Sequence, residues 1–165
     1  MREHIVATQA TAHRKTVVTD SEPPLIVGDF YHGAYGPTIL LEAQSVQGVD
    51  WFLRMLVKLS RDEQANFDLA SMPELRIEGV DELKVETVPV QPDNPLTRTA
   101  GSGYDDASFL WRQDTLRWAH ASMLIEPLLK GRPGHQYLTS EGRDAALIEF
   151  SHGEDLEVGK PFLDG

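Results

Sequence analysis

Gly79-Val-Asp-Glu-Leu-Lys-Val-Glu86 and Gly142-Arg-Asp-Ala-Ala-Leu-Ile-Glu149 are two stretches of the chain that share Gly, Asp and Glu at matching positions. In this alignment Val85 lies over Ile148. A repeated supersecondary unit needs its twin to bury its apolar face, so a repeat decides the architecture before it says anything about chemistry. The two stretches therefore predict a fold built from two related halves.

An amphipathic helix is predicted upstream of each stretch. In the first half, residues recur at helical spacing at Val49, Phe52, Leu53, Leu56 and Val57. In the second half the matching stripe is Leu116, Ala119, His120, Met123 and Leu124. We expect these stripes to face the core. Trp51 and Trp118 fall at corresponding places, on the side of each helix that points away from its stripe.

Each half is predicted to be a β-α-β-β unit, at 38–88 and 107–151, with the Pro- and Gly-rich segment 89–104 as a linker. The period-two pattern predicts that the last two strands of each unit form a hairpin. In the first unit, 75–78 would pair with 83–88 through a turn at Gly79 and Asp81. In the second, 136–139 would pair with 145–150.

The expected class is α+β, because hairpins favour antiparallel pairing over a parallel α/β sheet. The two copies would form one mainly antiparallel sheet with both helices on one face and N-terminal strands at an edge. The whole chain, 1–165, is interpreted as a single domain whose residues 1–15 form a mobile or weakly docked arm. Pro127 should kink or end the second helix near Ile125.

Composition excludes several chemistries together. The chain has no cysteine, so it has no disulfide, no cysteine nucleophile, no cysteine-ligated zinc and no iron–sulfur cluster. No stretch approaches the roughly 20 apolar residues of a membrane span, and the N-terminus lacks the apolar region of a secretory signal. We therefore expect a cytoplasmic protein that does not bind membranes.

The formal net charge is −11, which repels phosphate backbones and argues against nucleic-acid binding. The simplest explanation is that this charge keeps the protein soluble. The more specific explanation is an acidic face that steers a basic partner.

The candidate binding residues are on the predicted helices: Trp51, Trp118, His120 and Ile125. Tryptophan is frequent at binding hot spots, and an outward indole on a helix needs a cover. That cover could come from the chain itself, from a second copy, or from a partner or ligand. His120 stands where the first copy has core residue Leu53, and a core imidazole needs a hydrogen-bond partner.

The six histidines give no metal signature, because no pair has i, i+4 or H-x-H spacing. His152 with Glu154 or Asp155 could ligate a metal, but a polar turn is the simpler interpretation. Gly101-Ser-Gly103 is read as a flexible linker, since it lacks the spacing and context of a nucleophile elbow. We therefore predict no metal and no cofactor.

Two functions remain. The leading hypothesis is a non-enzymatic protein-binding or scaffold module, either an acidic inhibitor of the immunity-protein type or a homodimer. The alternative is a small-molecule-binding or hydrolytic domain with a histidine and carboxylate pocket near His120, His135 or His152.

Overall fold

The computed structural model describes residues 22–64, 66–139 and 146–154. The predicted arm 1–15 and the first half of the Gly142 stretch, 142–145, lie outside these residues. The described part contains, in chain order, β1 Ile26–Gly33, β2 Gly36–Ala43, α1 Val46–Ser60, β3 Phe67–Asp68, β4 Leu75–Glu78, β5 Val80–Thr87, β6 Leu96–Ala100, β7 Ala107–Gln113, α2 Thr115–Ile125, β8 Gly134–Tyr137 and β9 Leu147–His152.

The strands form two mixed sheets. The five-stranded sheet has the order β4-β1-β2-β9-β8, and the four-stranded sheet has the order β3-β5-β7-β6. Pairing is parallel between β1 and β4, between β2 and β9, and between β5 and β7, and antiparallel elsewhere. The predicted α+β class is confirmed. The expectation of one mainly antiparallel sheet is wrong, and β1 lies inside its sheet instead of at an edge.

Gly79 explains why one predicted hairpin does not form. This residue connects β4 in one sheet to β5 in the other. Its φ is +80°, and a Cβ atom at this position would overlap the carbonyl oxygen of Tyr104. The left-handed backbone turns the chain out of the first sheet, a conformation that favours glycine. The other predicted hairpin is present, because Gln136 of β8 lies opposite Phe150 of β9.

The parallel ladders connect the two halves of the chain. The last strand of each half pairs with the strand that precedes the helix of the other half. Ile39 lies opposite Ile148, and Phe109 lies opposite Leu83. The repeat predicts that Ile39 corresponds to Phe109, so the residues opposite them, Ile148 and Leu83, should correspond as well. The sequence alignment instead matches Ile148 with Val85, two residues further along β5. The strand pairing therefore does not reproduce the alignment, and the repeat stays a prediction.

Each helix packs on a different sheet, contrary to the expectation that both cover one face. Phe52 of α1 stacks on Phe150 of the five-stranded sheet, with ring centroids 4.5 Å apart. Trp118 of α2 meets Trp111 of the four-stranded sheet edge-to-face at 4.8 Å. The helices also contact each other. Helix α2 ends at Ile125, as Pro127 predicts, and continues as a 3₁₀ turn.

Candidate functional site

Trp118 and Ile125 do not form an outward binding surface. Both side chains are fully buried, so the predicted orientation of α2 is wrong. The residues expected in the core, Leu116 and Met123, are 77% and 67% exposed. Apolar side chains occur on both sides of this helix, so periodicity could not choose between them. Burying Trp118 removes a large apolar area from water, and its contact with Trp111 adds to this gain.

Trp51 is half-buried and packs against the core. It borders a shallow hollow together with Pro23, Pro24 and Pro73. The indole is therefore mostly covered by the chain itself, which was one of the alternatives open for both tryptophans.

The three histidines of the alternative hypothesis do not converge. His120 is exposed on α2, and His152 is buried, where its Nδ1 donates to the carbonyl oxygen of Ala43 at 3.1 Å. His135 pairs with Glu154, with Nδ1 and Oε2 separated by 2.8 Å. One histidine and one carboxylate thus meet, at the open end of the β8–β9 hairpin. Asp155, the other acidic residue considered as a metal ligand, lies outside the described residues.

A second group of acidic side chains lies on the outer face of the five-stranded sheet, opposite the face on which Phe52 stacks. Side chains alternate along a strand, so residues paired in register share a face. Glu78 pairs with Asp29, and Glu149 pairs with Tyr137. Leu40 of the central strand lies between Asp29 and Glu149. We name this surface the acidic face, and it consists of Asp29, Tyr31, Tyr35, Glu78, His135, Tyr137, Glu149 and Glu154.

Glu149 lies at the centre of the acidic face and is buried. Burial raises the pKa of its carboxyl group, and the charge of Glu154 raises it further. The neighbouring His135 and the nearby Tyr31 hydroxyl lower this pKa in part. A partly desolvated carboxylate beside another acid gains from a cation brought close to it.

Asp29, on the other side of Leu40 from Glu149, is a second carboxylate with a raised pKa. Burial raises the pKa of its carboxyl group and so does the charge of Glu78, while a hydrogen bond from the Phe30 backbone lowers it. Asp29 is thus incompletely hydrated and lies opposite a second carboxylate, the exposed Glu78, on the adjacent strand. Like charges directly opposite each other across strands are destabilising, which again favours the arrival of a cation.

Tyrosines surround the carboxylates and give the face its aromatic surface. Burial and the charge of Glu149 raise the pKa values of Tyr31 and Tyr137, so both hydroxyls keep their protons at neutral pH. Tyr35, which is 66% exposed, meets Tyr137 edge-to-face at 5.8 Å. Exposed rings with polar tips are typical of protein-binding surfaces.

Ser151 bears on the hydrolytic alternative. It lies opposite His135 on the neighbouring strand, and His135 is bonded to Glu154, which is the order of groups in a serine–histidine–acid triad. However, Ser151 is fully buried and its Oγ makes no hydrogen bond to the described residues. In this arrangement its hydroxyl is inaccessible to a substrate, and the geometry does not favour nucleophilic catalysis.

Sequence reasoning missed the acidic face because it treated Glu149 only as a matching residue of the repeat. The available signal was a glutamate inside the apolar run Leu147-Ile-Glu-Phe150. Charged residues are seldom buried without a reason, so this position pointed to a special environment. The long-range approach of Tyr31 and His135 to it had no local signature.

None of the helices within 22–64, 66–139 and 146–154 is long and apolar enough to span a membrane. Over the same residues, no cluster of three or more His, Asp or Glu side chains is arranged to hold a metal ion. Comparison of the chain with protein-family models, with curated proteins and with solved structures finds no match.

Proposed function

We propose that this protein is a non-enzymatic binding module whose acidic face holds a basic surface of a partner protein. The carrying observation is Glu149, a buried carboxylate with a raised pKa that lies among tyrosines and other acids on the outer face of the five-stranded sheet. An inhibitor of the immunity-protein type, which masks a basic effector, is a function consistent with this surface.

The chemistry of the face argues for lysine or arginine side chains as the groups bound. Asp29 and Glu149 are both incompletely hydrated, and each lies near a second carboxylate. A cation placed between such groups offsets their repulsion without a large additional cost of desolvation. Exposed Tyr35 offers a ring face, which attracts guanidinium and ammonium groups.

The net charge of −11 supports the same proposal over longer distances. Oppositely charged partners associate faster, and the association rate falls as salt screens the attraction. A partner held by this face should therefore bind with a rate that depends strongly on ionic strength.

The test is capture of a partner from the native cell by immobilised protein, followed by affinity measurement with the purified partner. The face variant combines Asp29→Asn with Glu78→Gln, which removes two charges while keeping the side-chain shapes. The control combines Asp62→Asn with Glu63→Gln in the exposed turn after α1. Asparagine tolerates the positive φ of 54° at position 62, so both variants change the net charge equally.

We expect the face variant to weaken binding by about tenfold or more and the control to weaken it far less. Equal losses of affinity in the two variants would mean that only the net charge of the protein matters, and would refute the role of the acidic face. A captured protein with no basic surface would also refute the proposal.

Self-association is a second candidate, and it rests on a different surface. Leu116 and Met123 leave exposed apolar side chains on α2, and such side chains can pair two copies of a chain. Sedimentation of wild type and of Leu116→Ser/Met123→Ser distinguishes this candidate. A dimer that the double substitution dissociates would support it, and a monomeric wild-type protein would eliminate it.

A further inference from the structure

Two tyrosine side chains at one end of the acidic face form a right-angled corner. The β1–β2 hairpin closes with Gly33 opposite Gly36, so its turn consists of residues 34 and 35. From this turn Tyr35 meets Tyr137 of β8, with ring centroids 5.8 Å apart and ring planes at 88°. Neither ring lies flat on the other, and both side chains are exposed. Their faces therefore border a concave space, and we name this pair of rings the aromatic corner.

Two carboxylates give the aromatic corner a negative charge. Glu149 lies opposite Tyr137 across β8 and β9, and Oε2 of Glu154 is 2.8 Å from Nδ1 of His135. The His135 ring in turn meets the Tyr137 ring at 5.8 Å. Burial raises the pKa of Tyr137, and the charges of Glu149 and Glu154 raise it further. Both carboxylates thus lie within electrostatic reach of the corner.

The accessibility of these carboxylates decides which kind of cation suits the corner. Glu149 is only 6% exposed, and Glu154 is already paired with His135. A lysine ammonium or an arginine guanidinium carries N–H donors that need acceptors once they lose water, and neither carboxylate is well placed to supply them. A quaternary ammonium group has no N–H donor. It needs only ring faces and a nearby negative charge, which attract it without a hydrogen bond.

We infer that the aromatic corner binds a quaternary ammonium group. Its methyl groups lie against the ring faces of Tyr35 and Tyr137, and Glu149 and Glu154 balance its charge through space. A cation in the corner can lie within about 6 Å of both ring centroids, the distance over which cation–π attraction acts. The inference rests on the proposed function in treating the acidic face as a binding surface, and it adds the ligand class taken at one end of that face.

The test is an NMR titration of the full chain, labelled with ¹³C in its tyrosine rings, with choline chloride at constant ionic strength. The chain has 4 tyrosines, so each ring can be followed separately. The neutral carbon analogue of choline has the same shape without the charge, and ethanolamine has the charge with N–H donors. We expect saturable shifts of Tyr35 and Tyr137 with choline and little response to the other two. Equal affinity for either control, or choline shifts that avoid these two tyrosines, would overturn the inference.

Substitutions at Tyr35 separate the ring from its hydroxyl. Tyr35→Leu removes a mostly exposed ring, so folding stays intact, and choline should bind about fivefold more weakly or worse. Tyr35→Phe keeps the ring face and should bind as wild type does. Tyr104→Leu should also bind as wild type does, because Tyr104 contacts Phe30 and His32 instead of the corner. Unchanged choline affinity in Tyr35→Leu, or an equal loss in Tyr104→Leu, would contradict the inference.

A quaternary ammonium group can belong to a free small molecule or to a trimethylated lysine of a partner protein. The amide of N-acetyl-trimethyllysine is therefore compared with choline and with the amide of N-acetyl-lysine. Tighter binding of the trimethyllysine compound assigns a partner's side chain, and tighter binding of choline assigns a small molecule. Equal affinity of the trimethyllysine and lysine compounds would contradict recognition of the quaternary group.

Failure of this inference can be told apart from failure of the proposed function. Choline binding needs no partner protein, so it is measured whether or not a basic partner is captured. The substitutions Asp29→Asn and Glu78→Gln, which test the proposed function, lie at the other end of the acidic face and leave the aromatic corner unchanged. Loss of choline binding in Tyr35→Leu likewise leaves the charges of the face in place.

Discussion

The Tyr31 hydroxyl lies close enough to the carboxylate of Glu149 to lower its pKa, although their strands are separated by β2. The two side chains approach each other across β2, whose residue Leu40 is buried on the outer face of this sheet. This contact joins residues that are remote in sequence and gives the acidic face its centre. It also couples the protonation of Glu149 to the stability of the fold.

Glu149→Gln should raise the free energy of unfolding at pH 7. Burial raises the pKa of the Glu149 carboxyl group, so the folded state binds its proton more tightly than the unfolded state. Wild type therefore loses stability as pH rises from the ordinary pKa of a glutamate through the raised value. Glutamine is neutral throughout and avoids this loss, and its amide oxygen can still accept from Tyr31.

Denaturant unfolding between pH 4 and pH 8, the range about the ordinary glutamate pKa and above, measures this effect. The difference between Glu149→Gln and wild type should shrink as pH falls. Tyr31→Phe removes the hydroxyl that lowers the pKa of Glu149, so the stability of this variant should fall more steeply with pH than that of wild type. A pH-independent difference for Glu149→Gln would contradict the assignment of Glu149.

Trp118→Ala should cost about 3–5 kcal/mol of unfolding free energy, because it removes a fully buried indole. Its edge-to-face contact with Trp111 is lost as well. Trp51→Ala should cost about 1 kcal/mol, since that indole is only half-buried. Urea unfolding followed by circular dichroism gives both values. Similar small costs for the two substitutions would mean that Trp118 is not a core residue.

Gly79→Ala should destabilise the protein more than Gly131→Ala. Both glycines have positive φ, at +80° and +74°, but only a Cβ at position 79 meets other atoms, those of Tyr104 and Phe30. The left-handed backbone costs each alanine about 1–2 kcal/mol, and the overlap at Gly79 adds about 1–3 kcal/mol. Thermal unfolding of both variants provides the comparison. Equal losses would contradict the close passage of the chain between the two sheets.

The elements of the fold were largely predictable because their signals are local. The helical spacing around Phe52 and around His120 indicated both helices, and Pro127 ended the second at Ile125. The division into two sheets was not predictable, since it depends on the turn at Gly79 and on pairing between distant strands. The orientation of α2 failed because apolar residues line both of its sides.

The residues of the candidate site were less predictable than the elements of the fold. His120 was identified from its position in a stripe that was expected to face the core, but the structure exposes it on α2, and its role in binding stays a prediction. Trp118 and Ile125 were assigned to binding and are buried in the core. The acidic face escaped prediction because Tyr31, His135 and Glu149 meet only after β9 inserts beside β2.

Carbodiimide cross-linking of the captured complex tests the central claim most directly, because this reagent joins carboxylates to amines that are already in contact. The linked peptides identify the carboxylates by mass spectrometry. The account predicts links from Asp29, Glu78, Glu149 or Glu154 to lysines of the partner, with loss of links in Asp29→Asn/Glu78→Gln. Links confined to acidic residues outside the acidic face, such as Asp62 and Glu63, would contradict it.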